Sequence, residues 1–196
     1  MYINLIQSLI VTITMFIHTL KGFPTKIILR ENRVISYSDA SIRANRGGVG
    51  FVSRNANDQA YTFNARAHET KDINRLELSA IFTSIAMADP DLDTLVFTDS
   101  QTSISNIVTK MKRTKYDKLA KFVLQLSKER NGHVYVSKVK AHSGDPGNDE
   151  ADRLAKQGTM SDKILVLPDE FMSVDEWFKH HEYLQVNYQK PDISTR

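Results

Sequence analysis

The chain has 196 residues, which is enough for one well-packed domain and too few for two of ordinary size. Its 41% hydrophobic and 25% charged residues are typical of a globular protein. Because it contains no cysteine, disulfides, a thiolate nucleophile and thiolate-bound zinc are excluded. We expect a monomer in a reducing compartment, the cytoplasm or the nucleus.

The net charge of +3 is unevenly distributed along the chain. Residues 110–130 carry eight basic side chains against two acidic ones, whereas residues 161–192 carry seven acidic side chains against three lysines. A basic face on a nearly neutral chain indicates a polyanion such as nucleic acid, and a solvated lysine-rich helix is the alternative explanation. The acidic segment is a candidate surface for a protein partner.

Residues 1–23 form an apolar segment with no charged side chain before Lys21. The segment approaches the length of a membrane-spanning helix, but Asn4, Gln7 and His18 interrupt it. It has neither the basic region nor the small-residue cleavage site of a signal peptide. A membrane contact, a targeting segment and an appended packed helix all remain open.

Residues 33–158 are predicted to form one α/β domain. Segments rich in β-formers predict strands, and apolar residues at three- and four-residue spacing predict helices. In chain order, the predicted strands are 33–40, 48–53, 60–65, 95–98 and 133–139, and the predicted helices are 77–88, 103–111, 119–126 and 148–156. This order indicates a five-stranded mixed sheet flanked by helices. The segment Gly47-Gly48-Val49-Gly50 is interpreted as the turn between the first two strands, because no Lys-Ser/Thr pair follows to make a phosphate loop.

Residues 159–196 are predicted to be an acidic tail, with a linker and a short helix over 174–188. Trp177, Phe178 and Tyr183 are expected to anchor that helix to the core or to a partner. The adjacent His180 and His181 resemble a metal-binding pair, but neighbouring residues on a helix point apart. We therefore predict that both histidines are exposed.

Four acidic residues occupy positions that are hard to explain structurally. Asp39 lies within a predicted strand, Asp99 follows another, and Glu77 and Asp152 lie near the starts of predicted helices. Strand ends and helix starts are where α/β proteins place their sites. Each acid taken alone is better explained as a turn or cap residue. Brought together they would repel one another unless divalent cations bridged them, and oxygen ligands favour Mg²⁺ or Mn²⁺.

Four segments resemble the signature segments of type 1 ribonuclease H, in the family's order and at similar separations. They are YSDAS around Asp39, NRLEL around Glu77, FTDSQ around Asp99, and AHSG followed by NDEAD around Asp152. The resemblance covers residues 33–158 and implies a ribonuclease H-like fold that hydrolyses the RNA strand of RNA–DNA hybrids. It also implies that these four acids bind two Mg²⁺ or Mn²⁺ ions, and that the products carry 5′-phosphate and 3′-hydroxyl ends.

The same resemblance implies roles for further residues. His142, in the loop of the AHSG segment, would assist proton transfer or product release. Amide side chains suit recognition of a 2′-hydroxyl group, because both donate and accept hydrogen bonds. The amides at family positions near the nucleic acid are Asn45, Asn74, Gln101 and Asn148.

Some positions depart from the family pattern. Ile73 stands where many members carry an amide, and Asp72 stands where a phosphate-contacting threonine is common, so that an acid there would repel phosphate. Some bacterial members carry a protruding basic helix and loop, called the handle, between the positions that match Asp99 and His142. The interval in this chain is shorter and resembles that of members without a handle, such as those attached to retroviral reverse transcriptases. A partial replacement for the missing basic handle would come from Lys112, Arg113 and Lys115, and the alternative is an ordinary charged helix end.

Two other functions remain open. Integrases, transposases and junction resolvases share a ribonuclease H-like fold, but they usually space their acids differently and lack the histidine loop. A catalytically silent subunit that binds hybrids or supports assembly is the other alternative. Four carboxylates that repel one another argue against it, because a pure binding module has no use for them.

Overall fold

The computed structural model describes residues 17–19, 31–68, 70–108, 116–141, 143–171, 173–182 and 184. These residues form a mixed sheet and five α-helices. The strands are β1 (Ile17–Thr19), β2 (Arg33–Arg43), β3 (Arg46–Arg54), β4 (Ala60–Ala67), β5 (Asp93–Thr98), β6 (Val134–Lys138) and β7 (Ile164–Leu165). The helices are α1 (Ile73–Met87), α2 (Gln101–Val108), α3 (Asp117–Glu129), α4 (Pro146–Gly158) and α5 (Val174–His180), and a 3-10 helix covers Pro168–Glu170.

The strand order in the sheet is β1-β6-β5-β2-β3-β4-β7. Strands β2, β3 and β4 form an antiparallel meander, β5 runs parallel to β2, and β6 runs parallel to β5. The predicted α/β class and mixed sheet flanked by helices are confirmed. The predicted count of five strands is wrong, because β1 adds to β6 and β7 adds to β4 at the two edges of the sheet.

The two additional strands are short, at three and two residues. Strand β1 lies inside the apolar segment 1–23, and β7 lies inside the predicted acidic tail. Strands of this length carry no readable alternation, and they form because the edges of β6 and β4 offer unpaired backbone groups. Within the described residues, no helix is long and apolar enough to cross a membrane.

The turn between β2 and β3 consists of Ala44 and Asn45, which both have positive φ angles of 47° and 62°. The prediction of a turn at residues 47–50 is therefore wrong, since all four lie inside β3. A Cβ atom at Gly48 would overlap the backbone of α4. The glycine is required by this close approach of helix and strand rather than by a turn.

The main core lies between one face of the sheet and the helices α1, α2, α3 and α5. Because side chains alternate along a strand, Val96, Val134 and Val136 face this core. The opposite face carries a smaller cluster around Phe97 and Tyr135. Helix α4 packs on β2, β3 and β4.

Helix α1 is buried over nearly its whole length, and both of its ends are held by side chains. Asp72 caps the first turn by accepting a hydrogen bond from the backbone N–H of Arg75. The guanidinium of the buried Arg130 donates to the carbonyl oxygens of Ile85 and Ala88 at the other end. These contacts fix the direction of the helix that carries Glu77.

The described part of the predicted acidic tail packs into the main core. Leu165, Leu167, Val174 and Trp177 are completely buried there, so the residues between β7 and α5 are not a free linker. The predicted helix over 174–188 is too long, because α5 ends at His180 and His181 forms its C-cap. Tyr183, expected to anchor the helix, lies outside the described residues.

Candidate active site

Asp39 and Asp99 are brought together by the register of two parallel strands. Tyr37 in β2 is paired with Phe97 in β5, and each aspartate follows two positions later in its own segment. Asp39 is 93% buried, and the backbone N–H of Ala40 donates to its Oδ1 at 2.7 Å. Because β2 and β5 are adjacent and parallel, this register makes neighbours of two acids that are distant in sequence, although β2 continues to Arg43.

Glu77 joins them from the second turn of α1. One carboxylate oxygen from each of Asp39, Glu77 and Asp99 lies within 4.8 Å of the other two. The Oε2 atom of Glu77 is buried and has no hydrogen-bond partner. A buried oxygen of this kind is unfavourable unless a cation or a proton is bound to it.

Burial and mutual repulsion both raise the pKa values of Asp39 and Glu77. Burial raises the pKa of Asp39 to about 6; the hydrogen bond from the Ala40 N–H opposes this shift, and the negative charges of Asp99 and Asp152 add to it. Burial, followed by the charges of Asp39 and Asp99, raises the pKa of Glu77 well above its ordinary value. A divalent cation would reverse this shift, because it favours the charged carboxylates.

Asp152 lies at the edge of the cluster rather than inside it. It projects from α4 and forms an ion pair with Lys156 one turn later, where both side chains are partly exposed. Its charge still acts on Asp39, but its oxygens are not part of the three-carboxylate group. Of the four acids predicted to meet, the structure therefore brings three together and pairs the fourth with a lysine.

The donor set fits a divalent metal ion. Three carboxylates supply hard oxygen ligands, and one of those oxygens is buried without a partner. Mg²⁺ and Mn²⁺ prefer ligands of this type, whereas zinc sites usually contain histidine or cysteine.

Comparison with known proteins agrees with this geometry. The family model described as RNase H matches residues 31–160 of the chain. The chain is also similar to the ribonuclease H of Chromobacterium violaceum, with 31% identity over 145 residues, covering 67% of this chain and 97% of the relative. The chain belongs to the RNase H family. The expectation of a ribonuclease H enzyme acting on RNA–DNA hybrids is confirmed at this level, and the family depends on divalent metal.

Membership of the RNase H family favours a ribonuclease H over an integrase or a resolvase. The finer assignment to type 1 stays a prediction. Residues 31–160 contain all four signature segments, so the match and the carboxylate cluster refer to the same part of the chain.

The amides predicted to contact nucleic acid have different surroundings. Asn45 is exposed in the β2–β3 turn, and Gln101 is exposed at the start of α2. Asn74 is half-buried, with its Nδ2 atom 3.5 Å from the hydroxyl of Tyr116. Asn148 is buried in the first turn of α4, and its Oδ1 atom has no hydrogen-bond partner.

Four of the predicted site residues lie outside the described part of the chain. They are His142, Lys112, Arg113 and Lys115. Their assignments stay predictions of the sequence analysis.

Asp72 has a structural role that the sequence analysis missed. Besides capping α1, its carboxylate accepts a hydrogen bond from the Tyr116 hydroxyl, at 2.9 Å to Oδ1 and 3.0 Å to Oδ2. The signal was present, because aspartate is a preferred N-cap residue. It was overlooked because the predicted helix began at Glu77 instead of Ile73.

Proposed function

We propose that the chain cuts the RNA strand of RNA–DNA hybrids at the cluster of Asp39, Glu77 and Asp99, with two Mg²⁺ ions bound there. The observation that carries this proposal is the convergence of three carboxylates within 4.8 Å, one of them with a buried oxygen lacking a partner. Such a cluster is unfavourable in the metal-free protein, and cations would relieve it.

The four acids would act as metal ligands and so fix the positions of the reacting groups. Asp39, Glu77 and Asp99 face one another already, and Asp152 would join them by exchanging its ion pair with Lys156 for a metal contact. When bound, Mg²⁺ lowers the pKa of an attacking water and stabilises charge on the departing 3′ oxygen. The expected products have 5′-phosphate and 3′-hydroxyl ends.

Substrate contacts would surround this cluster. We propose that Asn45, Asn74, Gln101 and Asn148 contact the nucleic acid, with amide groups recognising 2′-hydroxyls, and that Lys112, Arg113 and Lys115 contact phosphates. His142 would act as an accessory to proton transfer. Replacing His142 with alanine should then slow cleavage by about 10²-fold without abolishing it, measured as single-turnover rates.

The direct test is cleavage of an end-labelled RNA–DNA hybrid with and without Mg²⁺, comparing the wild type with Asp39→Asn. We expect Asp39→Asn to lower the rate by about 10³-fold or more, because it removes a metal ligand, while hybrid binding is largely retained. Asp93→Asn is the matched control. Asp93 is an equally buried aspartate at the opposite end of β5, where it accepts a hydrogen bond from the backbone N–H of His133.

The outcomes separate the possible functions. Full activity of Asp39→Asn, or equal loss in Asp93→Asn, would contradict the assignment. Preferential cleavage of duplex DNA would indicate an integrase- or resolvase-type nuclease. A wild type that binds the hybrid but neither cleaves it nor binds Mg²⁺ in calorimetry would identify a silent binding subunit.

A further inference from the structure

A short series of polar side chains connects the start of α3 to the start of α1. Tyr116 is the residue before α3, and its hydroxyl donates to the carboxylate oxygens of Asp72, at 2.9 Å and 3.0 Å. The Nδ2 atom of Asn74 lies 3.5 Å from the same hydroxyl oxygen. Because Tyr116 is only 9% exposed and belongs to the main core, its hydroxyl is held in a fixed position beside the two side chains.

This arrangement determines the orientation of the Asn74 amide. A phenol has one hydrogen to donate, and the Tyr116 hydroxyl directs it to Asp72. The hydroxyl oxygen can therefore only accept from Asn74, so the end of the amide that faces it is the NH2 group. The carbonyl oxygen Oδ1 of Asn74 lies on the other side of the amide, and no donor to it is found among the described residues.

Asn74 lies beside the carboxylate cluster. It is in the first turn of α1 and precedes Glu77 by three residues, a spacing that places two side chains on the same face of a helix. At about 1.5 Å per residue, the two positions are roughly 4.5 Å apart along the helix axis. A nucleic acid strand advances about 3.4 Å per nucleotide, so we expect the amide to lie beside a ribose within about two nucleotides of the cleaved bond.

The pair of Asp72 and Tyr116 is a feature of this chain rather than of its signature segments. Asp72 stands where a threonine is common in the family, and it caps α1 by accepting from the backbone N–H of Arg75. The backbone N–H of Asp72 in turn donates to the Thr70 hydroxyl. These two bonds hold the backbone and the carboxylate of Asp72 in place, so that the Tyr116 hydroxyl has a fixed acceptor.

We propose that Tyr116 and Asp72 are positioning residues that orient the Asn74 amide, so that its carbonyl oxygen accepts a hydrogen bond from a ribose 2′-hydroxyl. The presence of RNA beside Asn74 rests on the proposed function, whereas the polarity of the contact and the residues that set it follow from the hydrogen bonds above. Neither Tyr116 nor Asp72 touches the RNA, and both act through Asn74.

The test compares the single-turnover cleavage of hybrids that differ in one sugar. The RNA strand carries one 2′-deoxy or one 2′-fluoro nucleotide, placed in turn at each position near the cleaved bond. In the wild type, the 2′-deoxy substitution at one position should slow cleavage about tenfold, because one hydrogen bond is lost. The 2′-fluoro substitution at that position should slow cleavage equally, because fluorine cannot donate a hydrogen bond to the Asn74 carbonyl oxygen.

Variants of the positioning residues should reduce the rate ratio between the unmodified and the 2′-deoxy hybrid. Tyr116→Phe should lower the ratio from about tenfold to about threefold, because the amide can then rotate, and Asn74→Ala should lower it to about one. Asp72→Asn keeps both a helix cap and an acceptor for the phenol, so it should preserve the ratio. Tyr61→Phe is the matched control, because it removes a hydroxyl that contacts the Met87 sulfur at 3.8 Å, and it should leave the ratio unchanged.

Two results would overturn the proposal. If Tyr116→Phe cleaves every hybrid more slowly by the same factor, with the ratio unchanged, the tyrosine has only a structural role. If the wild type cleaves the 2′-fluoro hybrid as fast as the unmodified one, the amide does not accept from the 2′-hydroxyl. Thermal unfolding monitored by circular dichroism shows whether each variant is folded.

Failure of the proposed function gives a different result. A wild type that cleaves no hybrid contradicts the proposed function, and the same ratios are then measured as dissociation constants in anisotropy titrations of labelled hybrids. Tyr116→Phe should still lower the preference for the unmodified hybrid over the 2′-deoxy one. Normal cleavage by the wild type, with no position at which Asn74→Ala removes the sensitivity to 2′-deoxy substitution, contradicts only the positioning role.

Discussion

The carboxylate cluster and the segment from β7 to α5 differ in whether their buried polar groups have hydrogen-bond partners. In the cluster, Glu77 has a buried oxygen without a partner, and three acids face one another. In the C-terminal segment, His181 is almost completely buried, yet both ring nitrogens are used: Nδ1 donates to the Trp177 carbonyl at 2.8 Å, and Nε2 accepts from the Val166 N–H at 3.1 Å. The indole N–H of Trp177 donates to the Val166 carbonyl at 2.9 Å.

The difference separates a structural region from a functional one. Satisfied polar groups hold the C-terminal segment in one arrangement, and Arg75 ties it further to α1 through Asp169 and Glu170. Unsatisfied charges in the cluster lower stability, and they persist because the surrounding strands and α1 fix their positions. Substitutions in the C-terminal segment should therefore lower the free energy of unfolding. Neutralising substitutions in the cluster should raise it and weaken the binding of cations.

The largest effect is expected for Trp177→Ala. The indole is completely buried and contacts Phe82 edge-on, with ring centroids 4.8 Å apart. Removing it leaves a cavity in the main core and should lower the free energy of unfolding by about 3–5 kcal/mol, measured by urea denaturation. Met160→Ala, at a side chain that is 69% exposed, should change it by less than about 0.5 kcal/mol. Equal effects would show that the C-terminal segment does not belong to the core.

The pH dependence of stability should differ between the adjacent histidines. Burial lowers the pKa of His181 to about 4, so below pH 6.5 the unfolded chain binds a proton that the folded chain does not. The free energy of unfolding is therefore highest above about pH 6.5. It falls as the pH is lowered, by about 2 kcal/mol between pH 7 and pH 5. His181→Asn should lose this dependence. His180→Asn is the control at an exposed position and should retain it.

The cluster should respond to pH in the opposite direction in chelator-treated protein. Because the pKa of Asp39 is raised to about 6, the folded state binds more protons than the unfolded state between about pH 4 and pH 6. Its contribution to stability should therefore increase by about 1 kcal/mol as the pH falls from 7 to 5. Asp39→Asn should remove this increase, and a variant that keeps it would place the titrating group elsewhere.

An effect of similar size is expected for Glu77→Gln without metal. Neutralising a buried and repelled carboxylate should raise the free energy of unfolding by about 1 kcal/mol, while the stabilisation of the wild type by millimolar Mg²⁺ should disappear. Thermal unfolding with Mg²⁺ and with chelator measures both quantities. Loss of stability in Glu77→Gln, together with unchanged stabilisation by Mg²⁺, would contradict the cation-binding interpretation.

The sequence was sufficient to predict the central strands and the three acids that meet. Asp39 lies within one strand, Asp99 follows another and Glu77 lies near the start of a helix, and the parallel pairing of the two strands places the acids together. The ion pair of Asp152 with Lys156 was also readable, because the two residues are four apart on one helix.

Other features depend on tertiary contacts that no local pattern contains. The prediction that both His180 and His181 are exposed is wrong for His181, because its burial depends on Val166 and Trp177. Gly47 and Gly48 resembled a turn, yet they belong to a strand on which α4 packs closely. Strand β1 could not be predicted locally, because it forms by pairing with the edge of β6.

The placement of β1 has a consequence for handling the protein. Its three residues pair antiparallel with β6 and cover backbone groups that would otherwise be available to another molecule. A chain shortened to begin at residue 31 would expose that edge of the sheet, and exposed edges template pairing between molecules. Preparations that omit residues 17–19 should therefore self-associate in a concentration-dependent way, even if the carboxylates remain correctly placed.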